Sequence, residues 1–430
     1  MDERTRVMRM MMLGMLLCAV MGMVAGGEDA YGQMLRGQWV NEADAKIRKH
    51  RMSELRVLVL DGEGRPVKGA TVEVVQEKHS FDWGVVLPEQ GVDGAVFDGS
   101  SLVWRCFNGV SLDRMARWTK LQPEMRKGRD MRRVWETVNA AQAWGMRVRW
   151  GNVVPTDMGF WPDWAASLEG RQLAAMLERY VRSNMLEYGE RVGQFDLYSG
   201  LLDHDVVGER LGVGMLRQMY EQAKADAPRA MMCVGFHDAL LGGRSREMVR
   251  KVAELREKRI PVDAIAIDQE VGGSITAGVM SRALQWLASM EMDVVISGLE
   301  VGGSSEAAAA MNLEVILKLL FAEPNVKGIY VRGLTQAEIN DPNAAMLDYK
   351  GRPTATGRKL EQLIRDTWWT RVKGETDEIG NYRVHVFGGS QRISVVLPGE
   401  NGKPGEQLQM SVWVEPGEGE RLVMVEPHKR

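Results

Sequence analysis

Cysteine is scarce in this chain, three residues in 430, and Cys18 falls inside the N-terminal apolar run. The other two, Cys106 and Cys233, lie in apolar, strand-like surroundings and read as small buried hydrophobes. Two cysteines exclude a disulfide framework, although a single bridge between them stays open. No dense Lys/Arg stripe interleaves with aromatics and the net charge is only -3, so nucleic acid and anionic membrane are excluded as partners. No Gly-rich phosphate fingerprint follows the first strand of the α/β region, which argues against a dinucleotide fold, and no cofactor or metal is expected. The longest apolar run, Met10–Val24, is too short to span a bilayer core of roughly 30 Å.

That run has another use. Arg4, Arg6 and Arg9 precede it, and Ala30-Tyr31-Gly32 follows as a small-x-small cleavage site, with Val24-Ala25-Gly26 in competition. Residues 1–32 therefore read as a signal peptide, the alternative being an uncleaved anchor. The expectation is a secreted or periplasmic protein with no membrane contact after cleavage. An apolar content of 45% lets the remainder bury a large core.

Residues 41–80 carry two alternating segments, Leu55–Leu60 and Ala70–Gln76, joined by the turn-rich Asp61–Gly69. A β-hairpin or small β-sandwich element is expected there. From Phe81 the pattern becomes strand, loop, amphipathic helix, repeated. Strands are predicted at Trp83–Leu87, Val103–Val110, Arg147–Val154, Gly193–Tyr198, Ala230–Phe236, Ala264–Ile267, Asp293–Ile296 and Gly328–Val331. The helices between them repeat apolar residues every three or four positions, as in Leu173, Met176, Leu177, Tyr180 and Val181. Eight strands alternating with helices predict an α/β fold, a TIM (β/α)8 barrel over residues 81–370. Past Trp368-Trp369 the composition turns β-rich. Tyr382–Phe387, Ile393–Leu397, Met410–Val414 and Leu422–Val425 predict a C-terminal β-module over 371–430.

Two of the barrel strands run into a Ser-Gly pair, Ser199-Gly200 in VGQFDLYSGLLD and Ser297-Gly298 in ISGLEV. Strand C-terminal ends are where such a barrel keeps its catalytic groups. Here both are expected to break at glycine.

With KHRMSELRVLVLDGEGRPVKGATVEVVQ, FNGVSLDRMARW, GMRVRWGNVV, WPDW, QFDLYSGLL, PVDAIAIDQEV, ISGLEV and GRPTATGRKLEQLIRDTWWT in this order, the chain resembles the glycoside hydrolase family 10 xylanases. The likeness runs from about Lys49 to Thr370. It implies endo-hydrolysis of β-1,4-linked xylan with retention, which needs a carboxylic acid and a carboxylate nucleophile about 5–5.5 Å apart. The resemblance places the acid/base at Gly200 and the nucleophile at Gly298, so neither family position carries a carboxyl group. Other sugar-contacting positions depart too. The group after the second strand is Asp113-Arg114…Arg117-Trp118, and the third strand ends in Gly151-Asn152…Pro155. His237-Asp238 follows the fifth strand, Asp268-Gln269-Glu270 the sixth, and Arg332 stands where a tryptophan is expected.

The candidate substrate-binding residues are accordingly Asp113, Arg117, Asn152, Trp161, Tyr198, His237, Asp268, Glu270 and Arg332, with Trp161 and Tyr198 as the aromatic sugar contacts. Three readings remain open. In the first, a degenerate xylanase-like barrel binds a polysaccharide, a xylan-like β-glycan, or a protein partner. In the second, relocated carboxylates, Glu300 with Asp203 or Asp205, make an active hydrolase. Residues two apart on a strand share a face, which aims Glu300 to the same side as Gly298. In the third, the barrel is a spacer between two β-modules. Asp268 and Glu270 with His237 and Asp238 could hold a cation, although a hydrogen-bonded acidic rim is the simpler expectation. Asp196, inside a strand, reads as a buried structural carboxylate.

Overall fold

The computed structural model describes residues 39–89, 101–241, 244–273, 277–399, 404–417 and 419–427. The leader expected at 1–32 lies outside them. A helix over residues 39–51 enters the fold, followed by strands β1 (Met52–Val59) and β2 (Thr71–His79). Then come β3 (Asp82–Val86), β4 (Gly109–Ser111), β5 (Arg147–Trp150), β6 (Val154–Pro155) and β7 (Gln194–Ser199). After these run β8 (Met231–His237), β9 (Ala264–Val271), β10 (Asp293–Val301) and β11 (Val326–Val331). The chain ends in β12 (Arg371–Glu375), β13 (Asn381–Phe387), β14 (Gly389–Pro398), β15 (Pro404–Val414) and β16 (Glu420–Val425).

Strands β3 to β11 form one parallel sheet in the order β5-β4-β3-β11-β10-β9-β8-β7-β6, and β5 pairs β7 as well. That pairing closes the sheet into a barrel in which β5 and β6 share a single position beside β7. The helices pack outside. The longest, Gly170–Tyr188, buries Leu173, Leu177, Tyr180, Val181, Met185 and Tyr188, the stripe its spacing predicts. Tyr180 stacks on Trp118 at 4.0 Å.

Four strand predictions need correction. Val103–Val110 is not one strand: Leu102–Cys106 is a helical turn whose N-cap, Ser101 Oγ, accepts from Trp104 N at 3.2 Å, and β4 begins only at Gly109. Arg147–Val154 is broken because Asn152 adopts a left-handed φ of 55°, which asparagine tolerates better than most residues. Its side-chain amide donates to Asp113 Oδ1 at 2.8 Å. Strand β9 continues past Ile267 to Val271. Strand β10 does not end at Ser297-Gly298 either; the register with β9 shifts there by a bulge, and Gly298, Leu299 and Glu300 resume pairing with Asp268, Gln269 and Glu270. Cys106 and Cys233 are both buried and unpaired, and burial pushes both thiols up to about 12.

The N- and C-terminal β-segments are one unit. β1 and β2 do not pair with each other. β1 lies between β13 and β16, while β2 lies in a second sheet of order β12-β2-β14-β15. Alternation explains the packing: Leu55, Val57 and Val59 of β1 cluster with Val72 and Val74 of β2, and Ile393, Val395, Val414, Val423 and Val425 complete an apolar core. Arg51 joins this sandwich to the barrel by donating to the carbonyls of Phe321 (2.7 Å), Glu323 (2.5 Å) and Val326 (2.8 Å).

Candidate functional site

The barrel's interior is polar at one level. Arg149 of β5 is fully buried and donates to the Asp196 carboxylate of β7, to Ser111 Oγ at 3.0 Å and to the Ser297 carbonyl at 3.4 Å. Asp196 is therefore the buried structural carboxylate its strand context implies. One guanidinium ties β4, β5, β7 and β10 together beneath the mouth.

Above this plug opens a cavity of about 320 Å³ at the C-terminal ends of the strands. Asp113, Arg117, Asn152, His237, Asp268 and Arg332, all picked out from sequence, line it together with Gly200 and Asp203. Arg114 and His204, which the sequence marks only as neighbours of Asp113 and Asp203, also line it, as do Thr156, Asp157 and Phe160, which it does not mark. Their signal was weak, because they sit on loops whose path only the fold determines. Asp113 sits at the end of β4 and accepts the Asn152 amide. Asp157 caps the turn Met158–Phe160, accepting from Gly159 N at 2.7 Å. Asp203 is gripped from outside by Arg244 at 2.5 Å, with His237 Nδ1 at 3.8 Å. Burial, more than any charge, holds His237 below the ordinary histidine range.

Gly200 and Gly298 occupy different surroundings. Gly200 follows β7 with a φ of 98°, and a Cβ built there would lie 2.5 Å from Thr156 Oγ1 and 3.5 Å from the His237 ring. Gly298 has ordinary strand geometry. A Cβ there would point at the Arg332 guanidinium (2.8 Å) and Asp268 Oδ1 (2.9 Å), which are ion-paired with each other. The space before Gly298 is filled by that pair.

Other expectations shift. Tyr198 is fully buried, its hydroxyl donating to Asp205 Oδ1 at 3.0 Å and accepting from Val207 N at 3.1 Å. Trp161 is buried too, its indole N–H on the Pro155 carbonyl at 2.8 Å and its ring against Trp118. Neither ring is open to a sugar; both are core, as large aromatics commonly are. Phe160, one residue earlier, is the exposed aromatic at this rim. Glu270 is exposed and not among the cavity-lining residues.

The relocated pair is not assembled in this cavity. Asp205 caps the helix Val206–Leu211 through Gly208 N at 3.0 Å. Glu300 is buried, and burial first, then Glu270 and Asp341, raises its carboxyl above the usual range while Arg114 opposes them. Of the three carboxylates only Asp203 reaches the cavity. Among the described residues no group of three His, Cys, Asp or Glu is arranged to hold a metal ion.

Comparison with known proteins adds a lineage. The profile described as Glycosyl hydrolase family 10 matches residues 72–350. The anti-sigma-I factor RsgI6 of Acetivibrio thermocellus is 23% identical over 369 residues, which is 84% of this chain and 47% of that protein. Endo-1,4-beta-xylanase 2 of Arabidopsis thaliana is 22% identical over 77% of this chain and 31% of its own length. The chain thus spans less than half of either relative. Among solved structures, xylanase 10B of Thermotoga petrophila in complex with xylobiose superposes with a TM-score of 0.56 at 16% identity, covering 67% of this chain and 95% of that one. The Penicillium canescens endo-1,4-beta-xylanase XylE gives 0.58 at 15%, covering 66% and 95%. At such identities the likeness is one of fold.

Proposed function

Because the chain belongs to glycosyl hydrolase family 10, we propose that it is an exported barrel that binds a xylan-like β-glycan at its mouth without cleaving it. The observation that carries this is the absence of a carboxyl side chain at both Gly200 and Gly298, with the Asp268–Arg332 ion pair standing where a side chain at 298 would project. Retaining hydrolysis needs one carboxylic acid to protonate the leaving oxygen and a second carboxylate close by to attack the anomeric carbon. General acid catalysis alone contributes about 10²–10⁴-fold, and covalent catalysis is a separate contribution. The cavity's own carboxylates are each engaged: Asp268 with Arg332, Asp113 with Asn152, Asp157 in a cap and Asp203 with Arg244. What remains fits recognition, with hydroxyl, amide and imidazole groups around a concave opening. Of the two curated relatives described, one is named for regulation and the other for xylan hydrolysis, so the barrel's ancestry is compatible with either use.

One observation favours a second reading. Glu300 is a carboxyl held above its usual range, as a general acid would be. In that reading reducing ends accumulate and Glu300→Gln abolishes them. The first reading expects retardation of the purified protein in xylan-containing native gels with no reducing-sugar release from xylan, unchanged by Glu300→Gln. Sustained hydrolysis by pure protein overturns it.

A further inference from the structure

The three guanidiniums that line the cavity are not equally engaged. Of its three guanidiniums, Arg332 is engaged with Asp268, and Arg114 donates to the Glu338 carbonyl at 3.0 Å and lies near Glu300. Arg117 differs. Among the described residues its guanidinium makes no hydrogen bond or ion pair; it sits 6.0 Å from the centre of the half-exposed Phe160 ring and acts on the exposed Glu89 only as one of several charges that lower that carboxyl. It occupies the N-cap position of the turn Trp118–Leu121 without a capping bond, so the fold does not require its head group. The cationic groups also feel one another: burial foremost, with Arg114 and Arg117 adding to it, lowers Arg332 from the usual arginine range while Asp113 and Asp238 oppose the shift. Each carboxylate lining the cavity already has a partner, as described above.

A neutral pentose chain offers only hydroxyls to such a wall. A guanidinium held half-buried beside an exposed aromatic ring suits a planar carboxylate, which it can take by two parallel N–H···O bonds, while the ring packs the sugar's apolar edge. A volume of about 320 Å³ is at the small end for ligand pockets and suits a branch sugar or chain end better than a long polymer strand. Resting on the reading that this mouth binds glycan, we propose that the cavity selects an acidic sugar, a uronic acid residue carried on a β-linked glycan, with its carboxylate held by Arg117.

The test is calorimetric titration of the full chain at low and high salt with four probes. These are a linear xylo-oligosaccharide, the same oligosaccharide carrying a glucuronic acid branch, its methyl ester, and a sulfated counterpart. The acidic probe is expected to bind roughly tenfold or more tightly than the neutral one, about the effect of one charge-assisted hydrogen bond. The advantage is expected to shrink with salt, to vanish in the methyl ester and in Arg117→Gln, and to return in part in Arg117→Lys. Thermal melts of both variants confirm that they fold. Equal affinity for the acidic and neutral probes overturns the uronate proposal and leaves glycan binding standing. Failure of every probe to bind removes both. A sulfated probe bound as tightly as the uronate, or an Arg117→Gln variant that keeps the advantage, also overturns the assignment.

Discussion

Gly200, just past the end of β7, and Gly298, inside β10, both lack a side chain, yet for different physical reasons. At Gly200 the backbone itself has a left-handed φ, and the turn is fixed by Gly200 N donating to the Gly235 carbonyl at 2.9 Å and by Asp203 N donating to the Gly200 carbonyl at 2.9 Å. At Gly298 the backbone is ordinary strand, and only the tips of two flexible side chains occupy the space in front. A side chain is thus excluded at one end by the main chain and at the other by neighbours able to move. Refitting the β10 end asks for side-chain changes, whereas refitting the β7 end asks for a different turn.

The largest effect is expected where the two ends are tied together. Arg149 binds Asp196 of β7 and the Ser297 carbonyl of β10, so Arg149→Met leaves a buried carboxylate without its counter-charge. Removing one partner of a buried pair costs about 3–5 kcal/mol, whereas replacing both with apolar residues of similar volume is far milder. Urea titration of Arg149→Met and of Arg149→Met with Asp196→Leu measures the difference. A single variant within about 1 kcal/mol of the parent, well short of the usual cost, means the plug does not hold the ends in common.

The contrast itself is read by two alanine variants. Gly200→Ala combines a left-handed L-residue, worth about 1–2 kcal/mol, with a Cβ pressed against Thr156 Oγ1, and should lose about 2 kcal/mol or more. Gly298→Ala asks only that Arg332 and Asp268 move slightly, and it gains about 0.4–1 kcal/mol from a less flexible unfolded chain, so it should fall near neutral. Equal losses at the two positions break the comparison.

How much of this was legible follows the same divide. The barrel showed in the alternation of strand and helix because its core is periodic. Asp113, Arg117, Asn152, His237, Asp268 and Arg332 could be placed because they sit at or just beyond strand ends. What escaped depended on main-chain dihedrals or on distant pairing. Nothing local announces that Asn152 turns left-handed and splits the third strand, or that Ser297 is a bulge through which β10 continues. Trp161 and Tyr198 stand at strand ends as a sugar platform would, but a hydrogen-bonded indole or phenol inside the core leaves the same trace in sequence. The union of the two terminal β-segments joins residues more than 300 apart in the chain, such as Leu55 and Val384, and local pattern carries no record of that.

The smallest effect concerns Glu300, two residues beyond Gly298 on the same strand. Burial beside Glu270 and Asp341 raises its carboxyl above the usual range, so the folded state holds that proton more tightly than the unfolded chain does. The sign follows from linkage. Between the unfolded value and the raised folded one the native state binds more protons, so this group's contribution is fully present below the unfolded range and is lost as pH rises through the folded value. Glutamine does not titrate, so the stability of Glu300→Gln relative to the parent should climb with pH across that interval and level off above it. Chemical denaturation at a series of pH values reads the slope. An upward slope places a strained acid on β10, two residues beyond Gly298. A flat or falling difference means that Arg114 neutralises Glu300 fully, and the two ends are then alike in carrying no strained acid.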